Sequence, residues 1–297
     1  MPLPRRIVTR PRAADPKLFR QLASLIPADH SAFGENSRTI KIMADRFKNE
    51  VTILPGSFGT REVKLSRLYP ETENGTHVLL LHGVHSSANL SAHNKFRHLA
   101  CILAERGFTP WLCETSRRPV DREDYNDNIA GWAMDAFRGK NFKNELDDCA
   151  AALCHVESLS PAKLWIWGFS LGGIIALALA CGSGAPIEKV IVSGTGLVSM
   201  PEAERTMMSL PILSTLRETI DPDMLDDVRA KEAVAFRGTN DGIFSDAACR
   251  SLLAAINIPE ENKKYLVIEG ADHSMKMRNG RHDSKIMDEM LSMLTGQ

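Results

Sequence analysis

The sequence predicts an α/β protein built on a mostly parallel β-sheet. Apolar segments typical of strands alternate with amphipathic segments of about 10–15 residues that are typical of helices. The segment HVLLLHG, residues 77–83, is almost entirely apolar and ends in glycine, as expected for a strand buried on both faces. The segment GFSLGG, residues 168–173, connects an apolar strand to an apolar helix through a glycine-rich turn. Repeated strand–helix units of this kind place parallel strands side by side with helices on both faces of the sheet.

The length and composition fit one large domain. The chain has 297 residues, 43% of them hydrophobic, which is enough for a substantial core. We predict a main domain over residues 50–297 and an N-terminal helical extension over residues 1–49, in which Asp15 and Pro16 start a helix that runs to Pro27. The apolar side of this helix would pack on the main domain, which is the simplest interpretation, or cover the site entrance, or contact a second subunit in a homodimer.

The elements of the main domain follow in order from residue 50. The predicted strands are residues 51–54, 61–69, 77–83, 108–113, 163–168, 188–194, 233–238 and 263–270. The predicted helices are residues 92–106, 142–159, 171–182, 246–256 and 283–294. The first two strands follow each other directly and are predicted to pair antiparallel, whereas helices separate most of the later strands, which are expected to run parallel.

Two connections are too long for simple alternation of strand and helix, residues 114–141 and 197–231. Both follow strands, so both are expected at the carboxyl edge of the sheet, where ligands bind in open α/β sheets. Long ordered connections are often lids or binding segments. The second one is rich in apolar residues, including Met207 and Met208, which would anchor it on the sheet, line an acyl pocket, or do both.

Charge and cysteine content argue against several classes of protein. The formal net charge of −1 indicates no basic surface for nucleic acid. The chain lacks an uncharged apolar stretch of about 18 residues, so we predict no membrane span, and its start lacks the apolar core of a secretory signal. The six cysteines show no CxxC spacing and mostly fall within apolar segments, which favours buried thiols in a reducing, cytoplasmic compartment.

One serine, Ser170, stands between glycines at the point where the strand ending at residue 168 becomes a helix. This is the pattern of a nucleophile elbow, in which a strained turn presents a serine hydroxyl at the surface of the sheet. The string G-x-S-x-G is short and occurs by chance in unrelated chains. Its meaning therefore depends on whether the chain also supplies the other groups that such a serine needs.

A serine nucleophile needs a general base, usually a histidine that is oriented by a carboxylate. Asp241 and His273 each follow an apolar strand, and the order Ser170, Asp241, His273 is the one expected on this kind of sheet. Taken alone, Asp241 would fit a turn residue and His273 an ordinary loop histidine. Asp272 competes as the carboxylate but adjacent side chains point in different directions, and Asp246 is better placed to start the next helix. The three residue types at three strand ends together favour a catalytic triad.

The reaction of such a serine also needs hydrogen-bond donors for the oxyanion that forms on the attacked carbonyl. Leu171 follows the serine at the start of a helix and would supply one backbone N–H. Val84 follows the apolar strand that ends at residue 83 and would supply the other. We therefore predict an oxyanion hole made of these two main-chain groups.

With these residues the sequence resembles the α/β-hydrolase superfamily, in particular its serine esterases and lipases. The resemblance covers roughly residues 50–297. It rests on HG at 82–83, GFSLGG at 168–173, GTNDG at 238–242 and GADHS at 270–274.

The resemblance implies a mostly parallel eight-stranded sheet flanked by helices, with a small cap over residues 197–231 inserted after the sixth strand. It also implies the triad and the oxyanion hole named above. We assign Gly83, Phe169, Met207 and Met208 to substrate binding. The implied reaction is hydrolysis of a small-molecule carboxylic ester through an acyl-enzyme, with no metal and no organic cofactor. Two alternatives stay open: an acyl thioesterase with the same triad, and a non-catalytic ligand-binding protein with the same fold.

Other motifs carry weaker signals. His82 and His85 form an H-x-x-H pair with His93 and His98 nearby, but the ligand set of a zinc hydrolase is missing, so no metal site is predicted. The glycine-containing segment at residues 56–62 lacks the spacing of a dinucleotide-binding loop, so no nucleotide cofactor is predicted.

Overall fold

The computed structural model describes residues 38–42 and 47–296, apart from residues 93, 122, 126–127, 185, 202, 204–209, 221 and 278–283. The helix predicted between Asp15 and Pro27 lies outside these described residues, as do Met207 and Met208.

A single nine-stranded sheet organises the protein. Its strands are β1 (Arg38–Ile42), β2 (Asn49–Pro55), β3 (Glu62–Leu68), β4 (Thr76–Leu81), β5 (Thr109–Glu114), β6 (Lys163–Phe169), β7 (Ile187–Ser193), β8 (Ala230–Asn240) and β9 (Lys263–Asp272). Their order across the sheet is β1-β2-β3-β5-β4-β6-β7-β8-β9. The first three strands and the β3–β5 pair are antiparallel, and all pairs from β5 through β4 to β9 are parallel.

Eight helices accompany the sheet within the described part of the chain. They are α1 (Lys95–Glu105), α2 (Ile129–Ala136), α3 (Phe142–Ser158), α4 (Leu171–Gly182), α5 (Pro211–Ser214), α6 (Leu216–Thr219), α7 (Asp246–Ala255) and α8 (Ser284–Thr295). Short 3₁₀ turns cover Glu123–Tyr125, Pro222–Asp227 and Glu260–Asn262.

The helices form two layers, one on each face of the sheet. On one face, α1 and α8 enclose an apolar core that includes Leu99, Trp167 and Met290. On the other face, α3, α4 and α7 enclose a second core. Every residue of β4 and β5 is buried, because these central strands are covered on both sides.

The predicted eight-stranded, mostly parallel sheet is confirmed as β2–β9. The structure adds β1, which pairs antiparallel with β2 although its residues lie in the stretch assigned to the N-terminal extension. Because β1 is a short edge strand of alternating polar and apolar residues, RTIKI, it lacks the continuous apolar character that reveals a central strand.

The two long connections both leave the carboxyl ends of strands. Residues 115–141 contain α2 and a small apolar cluster of their own, built around Trp132 and Phe137. The connection between β7 and β8 contains α5 and α6, and its apolar residues Ile212 and Met224 join the core around α4. Strand β8 begins at Ala230, so the last two residues of the predicted cap belong to the sheet.

In the part of the chain that the structure describes, we find neither a helix with the length and apolarity needed to cross a bilayer nor a group of three His, Cys, Asp or Glu side chains arranged to hold a metal ion.

Candidate active site

Ser170 occupies a strained turn between β6 and α4. Its φ of 54° and ψ of −119° lie in a region that non-glycine residues rarely adopt. Three hydrogen bonds hold this conformation: the Ser170 N–H donates to the Ser193 carbonyl (2.8 Å), and the Ser170 carbonyl accepts from the Gly173 N–H (2.9 Å) and the Thr195 hydroxyl (3.0 Å). The turn is thus supported by the end of β7, which follows it in the chain and neighbours it in the sheet.

Glycine at position 172 lets the elbow approach the end of β4. A Cβ atom there would lie 2.5 Å from the carbonyl oxygen of His82 and 2.7 Å from that of Leu81. Both contacts are with backbone, which cannot move aside easily. The absence of a side chain at this position therefore brings the start of α4 and the loop after β4 together.

The loops after β8 and β9 bring Asp241 and His273 to Ser170. His273 Nε2 lies 2.9 Å from Ser170 Oγ, and His273 Nδ1 lies 3.1 Å from Asp241 Oδ2. The other carboxylate oxygen of Asp241 accepts hydrogen bonds from the backbone N–H groups of Ile243 (2.8 Å) and Phe244 (3.0 Å). Residues from three strand ends thus form one continuous chain of hydrogen bonds.

The ionisation of Asp241 determines where the protons lie in this series of hydrogen bonds. Burial of its fully enclosed side chain would raise the pKa, but the hydrogen bond and charge of His273 and the amides of Phe244 and Ile243 outweigh burial, so the pKa of Asp241 is lowered. The ionised carboxylate can only accept, so the imidazole proton of His273 lies on Nδ1. Nε2 is therefore free to accept the proton of the Ser170 hydroxyl.

The two competing carboxylates have other roles. Asp272 accepts hydrogen bonds from the backbone N–H groups of Ser274 (2.8 Å) and Lys276 (2.9 Å), and so shapes the turn that carries the histidine. Asp246 lies in the first turn of α7 and pairs with Arg250 and Tyr265.

A lysine supports the histidine loop from the side of α1. The Lys95 ammonium donates to the carbonyl of Ser274 (3.0 Å) and lies 4.4 Å from the ring centroid of Phe169. Burial, with the nearby charge of Lys276, lowers the pKa of Lys95 to about 7, and the opposing charge of Asp272 only partly compensates. Sequence reasoning did not single out this residue.

The two predicted oxyanion donors lie beside the serine. Leu171 is the first residue of α4, and the first N–H groups of a helix have no acceptor within the helix. Val84 follows Gly83, and a Cβ atom at position 83 would lie only 3.2 Å from Ser170 Cβ. Leu171, Val84 and Ser170 all line the same cavity.

This cavity has a volume of about 420 Å³ and lies between the elbow helix and the β7–β8 connection. Its walls are mainly apolar and include Ile174, Leu213, Leu216, Ile220, Met224 and Phe244. A cavity of this size and character suits a small apolar group whose reactive end lies at Ser170. Apart from the apolar character of the second connection, the sequence carried no signal for these residues, because they come from three separate segments of the chain.

Of the four residues assigned to substrate binding, Gly83 and Phe169 lie in the described part of the chain. Gly83 lies against Ser170. The side chain of Phe169 lies in the core and does not line the cavity: it stacks on Trp167 and meets Phe96 edge to face. The reason is the alternation of side chains along β6, which places residues 167 and 169 on the same face of the sheet.

A buried charged cluster beneath the loop after β4 was also missed. Lys140, Glu145 and Asp148 are fully buried, and Lys140 pairs with both carboxylates. A signal was present: Glu145 lies on the apolar stripe of α3, between Phe142 and Cys149, at helical spacing.

Comparisons with known proteins support the fold. The chain is 16% identical to the crystal structure of a putative dienelactone hydrolase from Klebsiella pneumoniae subsp. pneumoniae MGH 78578, with a TM-score of 0.57 over 88% of this chain and 98% of that one. It is 16% identical to an α/β serine hydrolase without a lid from Xanthomonas campestris, with a TM-score of 0.55 over 86% and 95%. The esterase domain of a Rhodothermus marinus protein gives 16% identity and a TM-score of 0.53 over 88% and 97%.

No protein-family model and no curated protein matches the chain. The structural likenesses define the class of fold. The protein has the α/β-hydrolase fold, as the sequence predicted.

Proposed function

We propose that the protein is a serine hydrolase that cleaves small carboxylic esters through an acyl-enzyme. The observation that carries this proposal is the hydrogen-bonded chain Ser170–His273–Asp241 at the wall of an apolar cavity. The structural neighbours named as an esterase and as α/β serine hydrolases are consistent with it.

The proposed reaction has two steps. Ser170 Oγ attacks the acyl carbonyl while His273 Nε2 takes the hydroxyl proton, and the amides of Leu171 and Val84 hold the oxyanion. His273 then gives the proton to the leaving alcohol. A water molecule, deprotonated by the same nitrogen, attacks the acyl-enzyme, and the acid is released as His273 Nε2 returns this proton to the departing Ser170 Oγ. Asp241 stabilises the imidazolium that forms in each step.

We place this activity in a reducing compartment such as the cytoplasm. All six cysteines are free, and five of them are buried. Burial raises the pKa of Cys154 to about 11 and that of Cys181 and Cys249 to about 12, which keeps these thiols protonated and unreactive.

A fluorophosphonate probe tests the proposed nucleophile. Incubation of the native protein should give one covalent adduct, and mass spectrometry of the peptides should map it to Ser170. Heat-denatured protein should remain unlabelled, because only the assembled triad activates the hydroxyl. A well-folded protein that does not react would contradict the proposal. Rates on matched ester and thioester pairs then decide between an esterase and a thioesterase.

The cavity predicts a dependence on acyl-chain length. Replacing Leu216 with tryptophan would fill part of the cavity from α6. The kcat/KM for an octanoyl p-nitrophenyl ester should fall by about tenfold or more, while that for the acetyl ester should stay within about twofold, since one methylene group in an apolar pocket is worth about 10–200-fold.

Leu159→Trp is the matched control, because Leu159 is 44% exposed and follows the end of α3. Its chain-length profile should equal that of the wild type. An equal loss on both esters in Leu216→Trp would show that the acyl group binds elsewhere.

A further inference from the structure

The peptide between Gly83 and Val84, which carries a proposed oxyanion donor, is held by a buried histidine. His82 Nδ1 lies 2.8 Å from the carbonyl oxygen of Gly83. A carbonyl oxygen only accepts hydrogen bonds, so Nδ1 carries the proton and donates. His82 Nε2 lies 3.1 Å from Thr115 Oγ1 and is left to accept from that hydroxyl. His82 is only 3% exposed as a whole residue, so both contacts are shielded from water.

This hydrogen bond also orients the N–H group of Val84. The C=O of Gly83 and the N–H of Val84 belong to one planar peptide unit, in which they point in opposite directions. Holding the carbonyl in place therefore sets the direction of the N–H. A hydrogen bond to the carbonyl also polarises the peptide and strengthens its N–H as a donor.

The buried carboxylate of Glu145 lies next to His82. Glu145 Oε1 lies 3.6 Å from His82 Nδ1, and both side chains are 1% exposed. Lys140 Nζ contacts the other oxygen of Glu145. Within the described residues, neither oxygen of Glu145 accepts a hydrogen bond of normal geometry. An ionised carboxylate in such a setting is costly to bury.

Asp148, the other carboxylate beside Lys140, has a clear structural role. It accepts hydrogen bonds from the backbone N–H groups of Ser57 (2.7 Å) and Ser116 (2.8 Å), and thereby joins two loops at the edge of the sheet. Among the described residues, Glu145 holds no backbone group in this way. What it faces is the proton-bearing nitrogen of His82.

We propose that His82 and Glu145 are positioning residues for the oxyanion hole. His82 fixes and polarises the Gly83–Val84 peptide, and Glu145, with its charge balanced by Lys140, favours the proton on His82 Nδ1. The inference rests on the proposed acyl-transfer reaction, because it needs an oxyanion to stabilise.

Three substitutions of His82 test the roles of its two ring nitrogens separately. The amide nitrogen of asparagine takes the place of Nδ1, whereas that of glutamine takes the place of Nε2. His82→Asn should keep kcat within a few-fold of the wild type. His82→Gln and His82→Leu should lower kcat by about 10–100-fold with an unchanged KM, somewhat less than the 10²–10³-fold loss on deleting an oxyanion donor.

The affinity for a boronic acid inhibitor distinguishes a positioning role of His82 from a purely structural one. Its tetrahedral adduct on Ser170 resembles the transition state, so its affinity should fall in parallel with kcat across the three variants. If His82→Asn behaved like His82→Gln, if the loss appeared only in KM, or if boronate affinity were unchanged, the role of His82 would be refuted.

Glu145→Gln tests the carboxylate without changing its shape. It should lower kcat several-fold, with KM unchanged, and Asp147→Asn on the exposed face of the same helix should have no effect. If the His82 variants do not fold, Glu145→Gln carries the test alone, because it leaves Lys140 paired with Asp148. A wild-type kcat in folded Glu145→Gln would overturn the inference.

The wild type is first treated with the fluorophosphonate probe. If Ser170 is labelled but the His82 variants have the kcat and boronate affinity of the wild type, the positioning role is refuted and the proposed hydrolase activity is not. An unreactive wild type refutes both.

Discussion

Ser170→Ala is expected to lower kcat for ester hydrolysis by about 10⁶-fold, as for serine hydrolases that lose their nucleophile. Without the hydroxyl no acyl-enzyme forms, and any remaining rate comes from water attacking a substrate held by the oxyanion donors. The fold should be retained, because the strained backbone at this position is held by main-chain hydrogen bonds and by Thr195, not by the serine side chain. Single-turnover hydrolysis of a p-nitrophenyl ester measures the loss.

Ser158→Ala is a matched control. Ser158 is exposed at the end of α3, and its hydroxyl donates to the carbonyl of His155. This variant should hydrolyse esters at the wild-type rate. Retention of more than a small fraction of activity in Ser170→Ala would show that another residue is the nucleophile.

Asp241→Asn is expected to lower kcat by about 10⁴-fold, the loss seen when a triad carboxylate becomes an amide. The amide can donate to His273 Nδ1, which then favours the tautomer with its proton on Nε2. That nitrogen faces Ser170 Oγ at 2.9 Å and could no longer accept the hydroxyl proton. The variant should fold, because an amide oxygen can still accept from the backbone N–H groups of Ile243 and Phe244.

Asp246→Asn serves as the control for this substitution. Asp246 is the other carboxylate near this strand end, but its partners are Arg250 and Tyr265 at the surface. Its substitution should leave kcat unchanged. A nearly fully active Asp241→Asn would mean that a different carboxylate orients the histidine.

The elements of the site that sequence reasoning named are those with a local signature. Ser170 lies in a string whose glycines are required by the turn itself. Asp241 and His273 each follow an apolar strand directly, and parallel strands bring their carboxyl ends to one edge. Strand ends are readable from hydrophobic patterns, so the meeting of these three residues could be predicted without knowing any distance.

The roles of residues that depend on packing between distant segments could not be predicted in this way. The direction of Phe169 depends on which face of β6 is covered by α1, and its ring lies in that core. The cavity wall combines Ile174, Met224 and Phe244, which are separated by long stretches of chain. Glu145 was visible only as a charged residue on an apolar stripe, and no local rule indicates that it would face His82.

The sequence by itself therefore determined the parallel α/β architecture, the strained serine turn and the residue types at the carboxyl edge of the sheet. These features depend on periodicity, on glycine and on chain direction, which act over a few residues. Only the tertiary structure decided the shape of the apolar cavity, the direction of Phe169 and the burial of Lys140 and Glu145 beneath the loop after β4. The physical reason is that side-chain burial and charge pairing depend on which distant segments come into contact, and that information is distributed over the whole chain.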